Sequence, residues 1–208
     1  MMARVDSGAS PGSSGAYLSP TMTPSLALAT AQRHGLLHDA VMRGRCFAVA
    51  NQTGVTSQAG LSATTPVLTL YNPASSGVNC SLLYAGAVCI VSAATAGAVF
   101  VAVGTDTAAA AVTGTLTTAH RNLLLGSSSN VAAKTFLAAT LPAAPVAVSI
   151  LGALLTGAIT TIPHQAGIER WFNGSIILKP GTNLSIQTGV ASGASGLLCE
   201  YIWEEIPV

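Results

Sequence analysis

The feature that most constrains this fold is an absence. From position 46 to 105 the chain carries no charged residue, and a second charge-free run covers 135–168. Such runs must be buried in protein or enter a membrane. The windows 82–103 and 136–162 are long enough to span a bilayer if helical. They are cut, however, by Gly86, Gly97, Pro142, Pro145, Gly152 and Gly157, and they are rich in Ala, Ser and Thr. The transfer gain is therefore modest. Local alternation, as in Ala98-Val99-Phe100-Val101-Ala102-Val103, suits strands. The expectation is short strands facing a shared core, with no membrane span.

Composition narrows the class further. Of 208 residues, 50% are hydrophobic and 7% charged, against about 25% charged in ordinary soluble domains. The net charge of +1 provides no basic field for a nucleic acid backbone. A charge-poor surface favours association, so copies of the chain or other partners are expected to cover much of it. No apolar stretch of signal-peptide type follows Arg4, and the sequons at Asn51, Asn79, Asn173 and Asn183 then read as accidents of a Ser/Thr-rich chain.

Along the chain, residues 1–42 read as a flexible N-terminal arm punctuated by Pro11, Pro20 and Pro24, with a possible short helix in 26–42 interrupted by Gly35. From 43 to 208 the texture changes to β-like runs between turn residues. Candidate strands are 46–51, 66–71, 78–84, 87–92 and 98–103. The stretch 104–165 is not assigned. Near the C-terminus, 168–172 and 175–179 flank Asn173-Gly174, a strong hairpin signal. Pro180-Gly181 suits a type II turn. In 183–189, Leu184, Ile186 and Thr188 alternate with Ser185 and Gln187. In 197–206, Leu197, Cys199, Tyr201 and Trp203 share one face. These last four segments read as an antiparallel meander. With no βαβ rhythm and about eight strands, the fold expected is an all-β, antiparallel β-sandwich of jelly-roll type.

Catalytic chemistry finds little material. Seven acids and four histidines are a thin stock for paired titratable groups. His34, His38 and Asp39 lack the H-E-x-x-H pattern. Cys46, Cys80, Cys89 and Cys199 form no C-x-x-C pair and read as small buried hydrophobes. A thiol hydrolase using a Cys with His120 or His164 has no local signature. No catalytic residue, cofactor or metal is assigned, and the chain is not read as an enzyme. Candidate interface residues are Arg43 and Arg45 at the start of the sandwich, Trp171, Tyr201 and Trp203 as large aromatics, and Glu204 at its end. Arg43 and Arg45 are expected near Glu204 and Glu205, because first and last strands of such sandwiches often approach one another. Glu169-Arg170-Trp171 is a candidate ligand-binding edge.

The string Pro66-Val67-Leu68-Thr69-Leu70-Tyr71-Asn72-Pro73-Ala74-Ser75-Ser76-Gly77-Val78-Asn79 resembles the strand, Tyr-Asn-Pro, small loop, Gly-x-Asn, apolar strand pattern of small jelly-roll virion proteins of tailed bacteriophages. The C-terminal part is similar as well, in Trp171, Gly174-Ser175-Ile176, Lys179-Pro180-Gly181-Thr182, Leu184-Ser185-Ile186-Gln187 and Trp203-Glu204-Glu205-Ile206-Pro207. The resemblance covers 66–100 and 168–208, less than half the chain. It implies a capsid decoration (cement) protein that binds the outside of the head and stabilises contacts between capsomers. Its partners would be itself, as a homotrimer, and the major capsid protein or other virion proteins. The arm would anchor to the shell, and the location would be the virion. A tail, baseplate or head-fibre subunit with receptor or glycan binding is the alternative. No catalytic residue carries over.

Overall fold

The computed structural model describes residues 21–22, 28–29, 37–90, 95–107, 109–154, 167–192 and 196–208. Contacts divide the chain into two units, Met1–Asp39 and Ala40–Val208. In the first, β1 (Thr21–Met22) pairs antiparallel with β2 (Leu28–Ala29). Within 26–42, where a short helix was expected, the described residues hold a five-residue helix, α1 (His38–Met42), and positions 26–27 and 30–36 lie outside the described residues. Most of the expected flexible arm lies outside the described residues.

The second unit contains β3 (Cys46–Ala50), β4 (Leu68–Asn72), β5 (Val78–Cys89), β6 (Gly97–Thr105), β7 (Thr113–Leu116), β8 (Arg121–Asn122), β9 (Lys134–Thr140), β10 (Val146–Leu154), β11 (Ile168–Leu178), β12 (Thr182–Thr188) and β13 (Leu197–Pro207). They form a six-stranded sheet in the order β10-β6-β12-β4-β9-β7 and a five-stranded sheet in the order β11-β5-β13-β3-β8. The strand pairs are antiparallel. The protein is an all-β sandwich. Each step from β3 to β6 changes sheet, and so does each step from β10 to β13. Between these two runs, residues 106–145 make an excursion. It lays β9 and β7 beside β4 and β8 beside β3, which pairs backbone edges that would otherwise stay open. Only then does β10 return to pair with β6.

Three local expectations are corrected by this winding. The Asn173-Gly174 hairpin is a bulge within one continuous strand, β11. Both residues take positive φ, 50° and 81°, but the flanks stay on the same partner, with Trp171 opposite Tyr84 and Ile176 opposite Leu82. The second correction joins 78–84 and 87–92, because β5 runs unbroken to Cys89. Gly86 is no turn there; it makes room for the Tyr84 hydroxyl, which would sit 2.9 Å from an added Cβ. Third, the C-terminal strands do not form a meander. β11 and β13 belong to the five-stranded sheet and β12 to the other.

The core lies between the sheets and includes Leu68, Leu70, Leu82, Val99, Val101, Leu184, Ile186, Leu197, Tyr201 and Trp203. The expected alternation of β13 is present: Leu197, Cys199, Tyr201 and Trp203 are buried, whereas Glu200 is exposed. Trp203 stacks on Phe47 with centroids 5.9 Å apart. Buried polar side chains tie strand ends. Asn72 Nδ2 donates to the carbonyls of Val78 (2.8 Å) and Leu178 (2.9 Å). Asn51 Nδ2 donates to Leu197 O at 2.8 Å, and its Oδ1 accepts the Cys199 N–H. Two sequon asparagines, Asn51 and Asn183, are therefore inside the folded domain.

Candidate interaction surfaces

The six predicted interface residues divide by burial. Tyr201 and Trp203 are fully buried, which corrects their assignment as contact residues. Their face of β13 turns inward. Tyr201 donates its hydroxyl to Leu68 O on the opposite sheet at 3.1 Å, and Trp203 Nε1 donates to Glu205 Oε1 at 3.3 Å. Arg43 is exposed, and Arg45 and Glu204 are half-buried. First and last strands do run side by side: Glu204 lies opposite Cys46, and the Glu205 N–H donates to Arg45 O at 2.9 Å. Arg45 and Glu204 thus share one end of the five-stranded sheet.

Glu205 has a role that sequence reasoning missed. Its carboxylate is buried and accepts the backbone N–H groups of Ala132 and Ala133, at 2.9–3.1 Å, besides the Trp203 indole. It anchors the excursion to β13. The alternation that turns Trp203 inward also places Glu205 on that face and Glu204 on the other, but no local signal names the backbone groups that receive a buried carboxylate.

Trp171 is 53% exposed. Its ring meets Tyr84 edge-on, with centroids 5.0 Å apart and planes at 60°. Tyr84 donates its hydroxyl to Glu169 Oε2 at 2.7 Å. Burial, then hydrogen bonds to Glu169 and Glu200, pushes this phenol well above its usual range. The register explains the grouping, since Glu169, Gly86 and Glu200 align across β11, β5 and β13. Two carboxylates therefore flank a glycine beneath one phenol, next to an exposed indole. Of this group, the sequence pointed only to Glu169 and Trp171.

Among the described residues, no strand pairs with the outer edge of β10 or of β11. There a groove of about 560 Å³ is lined by Val103, Val146, Val148, Ile176, Ile177 and Leu178 among others. Arg170 bridges one part of this opening. It donates Nη1 to Ser149 Oγ on β10 at 2.9 Å and lies 5.5 Å from the Phe172 ring centroid.

The four cysteines are free thiols; Cys46, Cys80 and Cys199 are buried and Cys89 is half-buried. Burial raises the pKa of all four. For Cys46 burial and then the nearby Glu204 push it up to about 11. His34 and His164 lie outside the described residues, and His38 and Asp39 sit on α1. Among the described residues no three His, Cys, Asp or Glu side chains are grouped to hold a metal, and no helix is long and apolar enough to cross a membrane. Comparisons with protein-family models, with curated proteins and with solved structures find no match to this chain.

Proposed function

We propose that this chain is a structural protein of a bacteriophage virion, a capsid decoration protein that binds the outside of the head and assembles with copies of itself. The observation that carries the reading is the winding of eight strands, β3–β6 and β10–β13, that flank the excursion. Orders β3-β13-β5-β11 and β4-β12-β6-β10, with sheet changes at every step except β6 to β10, support reading the sandwich as a jelly roll of two Greek keys, a fold used by capsid proteins. The Tyr71-Asn72-Pro73 motif has a matching job. It carries the chain from β4 to β5 across the sandwich, with Asn72 tied to the start of β5 at Val78 and to the end of β11 at Leu178. The low charge fits contacts whose centres are depleted of charge. Burial raises the pKa of all four thiols and so disfavours thiolate near neutral pH, in keeping with a mechanical role.

The test is cosedimentation of the purified chain with phage heads that lack it. Saturable binding at a fixed stoichiometry supports the reading, and a chain that stays in the supernatant overturns it. Deleting residues 1–30 is expected to give a folded sandwich that no longer binds. Normal binding by the truncated chain removes the arm as anchor.

A second reading, glycan binding by a tail or fibre subunit, is favoured by one observation. Trp171 offers an apolar ring beside Tyr84, Glu169 and Glu200, an arrangement suited to stacking on a sugar ring and accepting bonds from its hydroxyls. Saturable saccharide binding lost in Trp171→Ala supports it.

A further inference from the structure

We infer that Asn173 is a site of spontaneous covalent modification, at which the backbone nitrogen of Gly174 closes on the side-chain amide and converts the asparagine to aspartate and isoaspartate. The chemistry balances with water as the only co-reactant. The Gly174 nitrogen attacks Cγ of Asn173 and gives up its proton. The Cγ–Nδ2 bond breaks, ammonia leaves, and a cyclic imide remains. Water then opens the imide. Opening at Cγ restores the main chain and gives aspartate. Opening at the main-chain carbonyl routes the chain through the former side chain and gives isoaspartate. Nothing is oxidised or reduced.

The structure singles out this asparagine from the seven in the chain. Asn51, Asn72, Asn122 and Asn183 are buried. The amide nitrogens of the first three are also held by backbone carbonyls, of Leu197, Val78 and Gly44. Asn79 is half-buried and paired with Ile206 in the sheet. Asn130 is exposed, but the branched Cβ of Val131 crowds the nitrogen that would attack. Asn173 is exposed, and among the seven it alone precedes glycine. With no Cβ, Gly174 leaves its nitrogen unhindered and its dihedrals free to turn.

The bulge gives this peptide room to react. Four residues, Phe172 to Ser175, stand opposite the single residue Leu83, and among the described residues no strand pairs with the other side of β11. Rotation of the Asn173–Gly174 peptide toward the imide therefore breaks no registered pair. The same geometry keeps the reactive dipeptide in place. Left-handed φ values of 50° and 81° suit asparagine and glycine. A Cβ on residue 174 would lie 2.8 Å from Ser81 Oγ, so that position requires glycine. Aspartate tolerates the left-handed region as asparagine does, so the aspartate product fits the bulge. Isoaspartate lengthens the main chain by one carbon, at the point of β11 that already carries surplus residues. Either product adds a carboxylate two residues from Trp171 and takes the formal net charge from +1 to 0.

The experiment is incubation of the full folded chain at mildly alkaline pH, followed by peptide mapping with mass spectrometry and enzymatic methyl labelling of isoaspartate. The variant Asn173→Gln, whose longer side chain closes the corresponding ring far more slowly, is treated alongside. The wild type is expected to show the mass gain of an amide-to-acid exchange at residue 173, ahead of the other six asparagines, with both aspartate and isoaspartate formed. An acidic form is expected to grow on ion exchange and to be lost in Asn173→Gln. A folded chain that keeps its amide at 173 overturns the inference. Conversion in a urea-unfolded sample would then show that the bulge shields the peptide. Aspartate without isoaspartate overturns the imide route. If Asn173→Gln misfolds, the peptide map of the wild type decides, because it locates the site directly.

Discussion

Tyr84 and Trp171 face each other across the β5–β11 register and meet edge-on at 5.0 Å. This pair separates the two tryptophans of the chain into different worlds. Trp171 is half in solvent and Trp203 is fully buried.

The Trp171→Phe variant should therefore lose the acrylamide-quenchable part of the fluorescence and retain a blue-shifted, quench-resistant emission from Trp203. Stability should fall by about 1 kcal/mol or less, the scale of one aromatic pair. Red-shifted, quenchable emission in the variant would show that Trp203 is exposed.

Glu205→Ala should destabilise the domain by about 3 kcal/mol, because the Ala132 and Ala133 N–H groups and the Trp203 indole lose a buried charged acceptor together. Glu205→Gln keeps one acceptor oxygen and should cost about half as much. Urea midpoints at neutral pH measure both. Equal and small effects would mean that water satisfies these donors.

Alkaline pH should weaken the fold in a defined window. Cys46 rises from an ordinary 9.0 to about 11, through burial first and Glu204 second. Tyr71 rises from 10.0 to about 12, through burial first and then its hydrogen bond to Asp106. In both cases the folded state holds the proton more tightly than the unfolded chain. The stabilisation is complete below pH 9 and is lost as the pH climbs through 11 and 12. Melting temperature against pH should decline across that range, and Cys46→Ala should flatten its lower part. A profile identical in the variant would exclude Cys46 as a contributor.

Gly114 should not tolerate a side chain. Its φ is 147°, and an added Cβ would lie 2.9 Å from the Ala139 Cα on the partner strand β9. Gly114→Ala should cost roughly 1–3 kcal/mol. Gly60 has φ 74° but open space around it, so Gly60→Ala should cost only about 1 kcal/mol. Thermal unfolding of the two variants tests the difference.

Some of the candidate surface was legible in the sequence and some was not. Trp171 and Glu169 stood out by residue type. Their partners Tyr84, Gly86 and Glu200 come from strands β5 and β13, and only the cross-strand register brings the five together. Alternation along β13 already set Glu205 on the inward face and Glu204 on the other, but only the excursion supplies the two backbone N–H groups that its buried carboxylate accepts. The β10 edge fell within the unassigned 104–165, since a short apolar run has no period that separates strand from buried helix.

Strand character, the inward face of Leu197, Cys199, Tyr201 and Trp203, and the all-β class are properties of the sequence by itself. They depend on residue alternation and dihedral preference, which act over a few residues. The left-handed geometry at Asn173-Gly174 is local in the same way. Whether the chain then turned back or ran on was decided by the tertiary structure, because β5 offered hydrogen-bond partners on both sides of the bulge. The sheet that each strand joined, and the place of β10 beside β6, were decided there too. Both depend on pairings between residues far apart in the chain, and no local preference encodes which of several compatible neighbours a strand will meet.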